Sequence, residues 1–262
     1  MATIPGGAFN DFIFGTSAAD FIDAGAGNDV VMSASGDDKV LGGVGDDTLN
    51  GGSGADTLSG GDGKDLMIGG NDDDMLTGDA GNDTLLGGNG DDAMDGGAGD
   101  DLMVGGTGDD ALTGGDGDDV LQGDNGNDAL AGGAGDDHLV GGNGDDMLEG
   151  GDGDDLLEGG GGDDVLDGGA GDDVLYGGAG NDLFVFSGGG DVVMDFAEGD
   201  MLQISTGLDG VELGSADDVA GFAIDLGEAG TLIDFGQGDS VLLHGVSYDD
   251  IMSDPSRFIT LA

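Results

Sequence analysis

Gly96-Gly97-Ala98-Gly99-Asp100-Asp101-Leu102-Met103-Val104 is one nine-residue unit of a frame that runs from Gly6 to Val185 without insertion or deletion, 180/9 = 20 units. The sixth position is aspartate in all twenty, from Asp11 to Asp182, and the eighth is always large and apolar, from Ile13 through Met103 to Phe184. Glycine dominates positions one, two and four. Such a period marks a stacked architecture, in which one unit cannot bury its apolar residue alone but neighbours build a continuous core. Glycines admit positive φ and let carbonyls crowd inward, so positions one to six read as a turn. Positions seven to nine read as a strand with the eighth side chain inward, because side chains alternate along an extended chain.

Composition sets a condition on folding. The chain has 262 residues, 65 of them glycine, with 58 acidic side chains against three basic ones, no cysteine and a formal net charge of -55. So many carboxylates in one compact body repel, and few aromatics give little core to compensate, so the chain is either disordered or folded by cations. Disorder does not account for two fully occupied columns, since solvation requires neither an aspartate nor an apolar residue at fixed phase. Collagen is excluded by the two prolines and by glycine that does not recur at every third residue. Without cysteine there are no disulfides, thiolate ligands or thiol nucleophiles. No run of about 18 apolar residues appears, and Met1-Ala2-Thr3-Ile4-Pro5 has neither a basic nor an apolar leader region, so no membrane insertion and no cleaved N-terminal leader are expected. Lys39, Lys64 and Arg257 cannot build a phosphate-tracking patch, so nucleic acid is not an expected partner; cations are.

The pattern G-G-x-G-x-D-x-U-x resembles the RTX, or hemolysin-type, calcium-binding nonapeptide, over about two thirds of the chain. The resemblance implies an all-β fold: a right-handed parallel β-roll with two nonapeptides per turn, closed by a β-rich C-terminal cap. Units two apart would then stack on one side and hold Ca²⁺ between their loops. The implied ligands are the carboxylates of Asp29, Asp38, Asp47, Asp56, Asp65, Asp74, Asp83, Asp92, Asp101, Asp110, Asp119, Asp128, Asp137, Asp146, Asp155, Asp164, Asp173, Asp182 and Asp191, with Asp83 set against Asp101 and Asp92 against Asp110. Carbonyls of loop residues such as Gly88, Gly90, Gly97, Gly99, Gly106, Gly108, Gly115, Gly117, Gly133, Gly135, Gly142 and Gly144 would complete each shell. Calcium takes six to eight oxygens, which suits such a set. Twenty units give ten loops and nine gaps per side, so at most 18 ions, offsetting 36 of the 55 negative charges. The implied organisation is 1–23 as atypical N-terminal repeats or cap, 24–185 as the calcium-binding roll and 186–262 as the C-terminal cap.

Departures from the pattern mark where ions are expected to be missing. The first units read GGAFNDFIF and GTSAADFID, with Phe9 and Ala18 where the fourth glycine belongs, so calcium is not expected beside Asp11 and Asp20. Ser33-Ala34-Ser35-Gly36 and Asp72 weaken two later sites. After Val185 the repeat fades, although Asp191 with Val193 and Asp200 with Leu202 keep the sixth and eighth phases. Apolar runs at 201–204, 222–226, 231–235, 240–244 and 258–261 read as strands. Asp195-Phe196-Ala197-Glu198-Gly199-Asp200 and Asp234-Phe235-Gly236-Gln237-Gly238-Asp239 are near-duplicates, which suggests two similar strand-turn-strand units. This segment is similar to the C-terminal region of serralysin-type secreted proteins. Its ending, Phe258-Ile259-Thr260-Leu261-Ala262, resembles an uncleaved type I secretion signal and implies an extracellular location, with cell-surface association a further expectation.

Other chemistries lack their residues. No loop has twelve-residue EF-hand spacing closed by a bidentate Glu. Lys64 precedes Asp65 and not Ser or Thr, so there is no phosphate loop, and His138 and His244 belong to no catalytic or zinc spacing. Alternate units form opposite sheets. On the odd-unit sheet fourteen of twenty outward positions are apolar, among them Phe12, Phe14, Met32, Ile68, Leu102 and Tyr176, against seven of twenty on the other, where Ala93, Ala111, Ala129 and Ala131 keep the middle small. That face predicts a contact surface for the C-terminal segment or another chain; the competing reading is β propensity on a wet sheet. The preferred function is a secreted, calcium-folded structural or surface protein that self-assembles. No enzyme activity is expected of it, since repeats from Gly6 leave no room ahead of them for a catalytic domain unless the chain is a fragment. The alternative is a calcium-dependent secretion or targeting module of a larger enzyme or adhesin. Ice binding ranks last, because Thr48, Thr57, Thr77, Thr84 and Thr113 form no ladder.

Overall fold

A computed structural model describes residues 2–205 and 213–262; Met1, where the leader region was sought, lies outside the described residues. Each nonapeptide supplies one strand, and that strand is longer than the three residues read from the pattern. From Phe21–Ala26 to Val174–Ala179 it spans six, from position seven to position three of the following unit, as in Leu102–Thr107, and leaves positions four to six for the turn. The cause lies in the paired glycines, which still enter the parallel ladder: Gly88 lies opposite Gly106 as Leu85 lies opposite Met103. Gly88 does so at φ +119°, where a Cβ would run into the Gly70 carbonyl of the preceding rung. Any larger residue would prise the turns apart.

The fold divides into two compact units, Met1–Ala134 and Gly135–Ala262. In the first, strands alternate between two parallel sheets. One begins Thr3–Gly7, Phe21–Ala26, Lys39–Val44 and ends Ala129–Ala134; the other begins Phe12–Phe14, Val30–Ser35, Thr48–Ser53 and ends Val120–Asn125. Each strand pairs with the one two units on, so Thr84 faces Leu102 and Ala93 faces Ala111. The eighth-position column forms the core between the sheets, with Val40, Leu58, Met67, Leu85 and Met103 fully buried.

The second unit repeats this plan through His138–Asn143, Met147–Asp152, Leu156–Gly161, Val165–Ala170, Val174–Ala179 and Leu183–Phe186. Two further rungs follow, Gly190–Val193 on Val174–Ala179 and Met201–Ile204 on Leu183–Phe186, with Val193 and Leu202 buried in phase. The chain then closes one sheet with the antiparallel strands Ala223–Asp225, Gly230–Gly236 and Asp239–His244, and edges the other with Ile259–Leu261.

The two near-duplicate hexapeptides turn out to differ. Asp195 accepts the backbone N–H groups of Gly177 and Gly178, both at 2.9 Å, which holds its turn on the stack as it crosses between sheets. Asp234 instead accepts from its own Gly236 at 2.8 Å, a local turn that reverses the chain into a hairpin. Two short helices, Ala216–Ala220 and Tyr248–Ser253, lie between the strands expected from the sequence and were not read from it. Ser215 and Ser247 cap them by accepting from the N–H groups of Asp218 and Asp250, and Asp side chains fill each first turn. Among the described residues no helix is long and apolar enough to cross a membrane.

Candidate metal centre

The sixth-position aspartates are buried, most of them 3% exposed or less, and stacked at 18-residue intervals. In the first unit each backbone N–H at this position donates to the Oδ1 of the aspartate one turn on: Asp65 to Asp83 at 2.7 Å, Asp74 to Asp92 at 2.8 Å, Asp83 to Asp101 at 2.7 Å and Asp92 to Asp110 at 2.8 Å. The same link runs from Asp29, Asp38, Asp47 and Asp56 upward and reaches Asp119 from Asp101 and Asp128 from Asp110. In the second unit it joins Asp137 to Asp155, Asp146 to Asp164, Asp155 to Asp173, Asp164 to Asp182, Asp173 to Asp191 and Asp182 to Asp200. The residues set against each other in the sequence therefore meet, and the link is a charge-assisted hydrogen bond from backbone to carboxylate.

The second carboxylate oxygen is another matter. Oδ2 of Asp29, Asp38, Asp47, Asp56, Asp65, Asp74, Asp83, Asp92, Asp101 and Asp110 in the first unit, and of Asp155, Asp164 and Asp173 in the second, is buried with no hydrogen-bond partner. A buried carboxylate oxygen left unsatisfied costs on the order of kilocalories per group, and a column of them opposes folding unless something positive meets it. The acidities register this. Burial, followed by neighbouring carboxylates and against the relief of the backbone N–H, pushes Asp74, Asp83 and Asp110 up to about 7 and Asp47, Asp56, Asp92, Asp155 and Asp182 up to about 6. Asp191, buried against Asp173, is also raised.

Glycine makes the space in front of these oxygens. A Cβ on Gly87 would collide with Asp92 Oδ2 and approach the Gly105 carbonyl oxygen, and Gly96 stands in the same relation to Asp101 and Gly114. Carbonyls at the second and fourth positions point at the next turn: those of Gly88, Gly90, Gly97, Gly99 and Gly115 lie where a Cβ on Gly106, Gly108, Gly115, Gly117 and Gly133 would fall, and Gly108 meets Gly126 likewise. In the second unit Gly135, Gly142 and Gly144 aim at Gly153, Gly160 and Gly162. Gly117 and Gly133 share the positive φ of the others. Among the described residues no three His, Cys, Asp or Glu side chains converge into a metal cluster. A cation here would meet carboxylate oxygens together with backbone carbonyls, an all-oxygen set that fits a hard divalent ion. The orphaned Oδ2 atoms and the glycine-walled space before them suit such an ion.

Departures behave unevenly. Asp20 is satisfied by the protein itself: Oδ1 accepts from Ala2 at 2.8 Å and Oδ2 from both the N–H and the hydroxyl of Thr16, each at 2.8 Å. Ser33, in place of a glycine, donates its hydroxyl to the Gly51 carbonyl at 2.6 Å. Ala34 and Asp72 adopt positive φ despite their side chains, as do Asp79 and Asp124 at second positions that the pattern did not single out. The fifth position was also overlooked. It is Asp or Asn in 12 + 5 = 17 of twenty units, a visible signal, and its carboxylate staples the loop in the opposite direction, Asp73 accepting from Asp91 and Asp91 from Asp109, both at 2.9 Å.

The sequence matches the family described as RTX calcium-binding nonapeptide repeat (4 copies) in overlapping stretches at residues 5–40, 41–76, 68–103, 95–130, 104–139, 122–157, 131–166 and 158–193. No curated protein matches. Among solved structures it is similar to the extracellular lipase LipA from Serratia marcescens, with 27% identity and a TM-score of 0.42 over 76% of this chain and 40% of that one. The chain thus spans well under half the length of that lipase.

Proposed function

The chain belongs to the RTX calcium-binding nonapeptide repeat family, whose repeats bind Ca²⁺ between stacked turns in a structural roll, and on that premise we propose that it is a secreted protein that folds on calcium outside the cell. The column of buried Oδ2 atoms without a protein donor carries this reading. The sixth-position aspartates from Asp29 to Asp191 would hold the ions, with the second- and fourth-position carbonyls of adjoining turns. Calcium supplies charge neutralisation and oxygen cross-linking there. Inside a cell, where free calcium is low, the carboxylates repel and the chain stays unfolded; outside, ion binding and folding are one event.

The C-terminal signal we assign to Phe258–Ala262 is compatible with this order, since Phe258 and Ile259 are buried and Ile259–Leu261 pairs with Met201–Ile204 once the chain is folded. The folded roll is proposed to serve a structural or cell-surface role and to self-associate through an apolar sheet face. Circular dichroism during a calcium titration tests the switch: strand signal rises cooperatively with calcium, and strand signal already complete in excess chelator would refute it. Light scattering tests the role, with calcium-dependent growth expected; a compact monomer at every calcium level favours a targeting module of a larger protein.

A further inference from the structure

The sheet of the first unit that begins at Phe12–Phe14 presents the seventh and ninth positions of seven strands, fourteen side chains, and none of them is charged in a chain with 58 acidic residues. Ten are Phe, Val, Met, Leu or Ile, and the rest are Thr48, Asn50, Thr84 and Gln122. Phe12 is 61% exposed, Met32 44%, Leu102 42% and Val120 39%. The opposite sheet of the same unit carries Asp23, Lys39 and Asp95 at equivalent positions. The flanking second-position column is glycine or alanine from Ala34 to Gly106, with Thr16 before it, whose hydroxyl is turned to Asp20, and Asp124 after it, whose carboxylate takes the Gln122 side-chain amide, so little projects beyond the strip.

Seven strands about 4.8 Å apart, six of them six residues long at about 3.3 Å per residue and the first, Phe12–Phe14, three, make a face of roughly 34 by 20 Å. Two such faces in contact bury roughly 1,400 Å², within the range of about 1,200–2,000 Å² that stable specific interfaces need. Resting on the calcium-folded reading above, we propose that this face is the self-association surface and that its occupant is the same face of a second copy, the two stacked sheet on sheet about a two-fold axis.

That arrangement has an electrostatic consequence. The strip meets itself without charge, while the turns along its borders, with Asp46, Asp100 and Asp118 against a single Lys64 on one side and Asp37, Asp73, Asp91 and Asp109 on the other, face those of the second copy. Stacked sheets lie about 10 Å apart. The screening length is about 8 Å at physiological ionic strength and about 30 Å at 0.01 M, so the borders repel strongly only in dilute salt. Association therefore tightens as salt rises, the reverse of pairing with a basic partner.

Sedimentation velocity of the calcium-loaded chain, with circular dichroism on the same samples, decides it. The expected result is a monomer near 0.01 M salt and a closed dimer near 0.15 M. Leu102→Thr combined with Val120→Thr, which keeps strand propensity and the calcium response, weakens the dimer at least about tenfold. Leu102→Asp abolishes it, and Ala111→Thr on the other sheet leaves it intact. Calcium-induced strand signal with a monomer near 0.15 M salt overturns this face while the calcium reading stands. No strand signal with calcium overturns both. Open-ended oligomers, a dimer indifferent to Leu102 and Val120, or one that strengthens in dilute salt each overturn the proposal.

Discussion

Asp20 and Asp83 hold the same place in the repeat and meet opposite surroundings. Both accept a backbone N–H on Oδ1, from Ala2 and from Asp65. On Oδ2, Asp20 accepts two hydrogen bonds from Thr16, whereas Asp83 has no partner. The acidities part accordingly. The Ala2 N–H, then the Thr16 hydroxyl and N–H, hold Asp20 below the ordinary aspartate range, while burial drives Asp83 up to about 7. Thr16 stands at a second position, where most units have glycine. A turn that supplies its own donors needs no cation; a turn that has given up its side chains to bring carbonyls inward does.

Removing calcium is the severest test of that contrast. A site at a hundredfold its dissociation constant contributes about 2.7 kcal/mol, so a column of such sites outweighs the roughly 5–15 kcal/mol by which ordinary domains are stable. Chelator is expected to abolish the roll in one cooperative transition seen by circular dichroism. A stable mid-roll in chelator would mean that the orphaned oxygens are tolerated without ions.

Protons offer the next largest effect. Folded-state values near 6 to 7 for Asp47, Asp56, Asp74, Asp83, Asp92 and Asp110 lie above the unfolded aspartate value of 3.8. Raised groups stabilise the fold fully below the unfolded value and lose that contribution as pH rises through the folded one. In chelator, strand content should therefore grow as pH falls from about 8 to below about 4. With calcium the dependence reverses, because ligating carboxylates must be ionised. A pH titration monitored by circular dichroism in both buffers checks the two signs; parallel curves would break the comparison.

Single substitutions sharpen it further. Asp92→Asn keeps an Oδ1 acceptor for the Asp74 N–H and removes the charge beside Gly87 and Gly105. Urea unfolding in calcium should show a loss of about 2–3 kcal/mol, set by one saturated site. In chelator, where strand content returns only as pH falls, the variant should regain it at a higher pH than the parent, since a buried charge has gone. Asp20→Asn should cost less than Asp92→Asn in calcium, because its partners belong to the protein.

Much of this was legible from residue order alone. The Asp column at position six and the apolar column at position eight set the nine-residue period, and the resemblance to the RTX nonapeptide, with two units per turn, implied the sheet assignment and the facing of Asp83 with Asp101. The strand length was not legible, since a glycine pair such as Gly105-Gly106 reads as a turn until its neighbours are seen to offer a parallel ladder. Nor was the hairpin at Asp234 separable from the crossing at Asp195, because the same hexapeptide serves both and the choice depends on which N–H groups lie within reach. The helix caps Ser215 and Ser247, each followed at the third residue by Asp, were present as signals and were masked by the apolar runs around them.

Thr16→Val gives the smallest and most selective effect. It removes one of the two donors to Asp20 Oδ2 and preserves shape and strand propensity, so the fold should remain and the calcium response of the mid-roll should not move. What should change is the acidity of Asp20. With the hydroxyl gone, its carboxyl should titrate at higher pH than in the parent chain, by carbon-detected NMR of the side chain. A folded pKa held below the unfolded value contributes stability above the unfolded value and loses it as pH falls, so the variant should lose a little of that contribution and only on the neutral side. If Asp20 titrates unchanged, the Thr16 hydroxyl is not what separates the first turns from the rest, and the backbone donors of Ala2 and Thr16 alone must account for the difference.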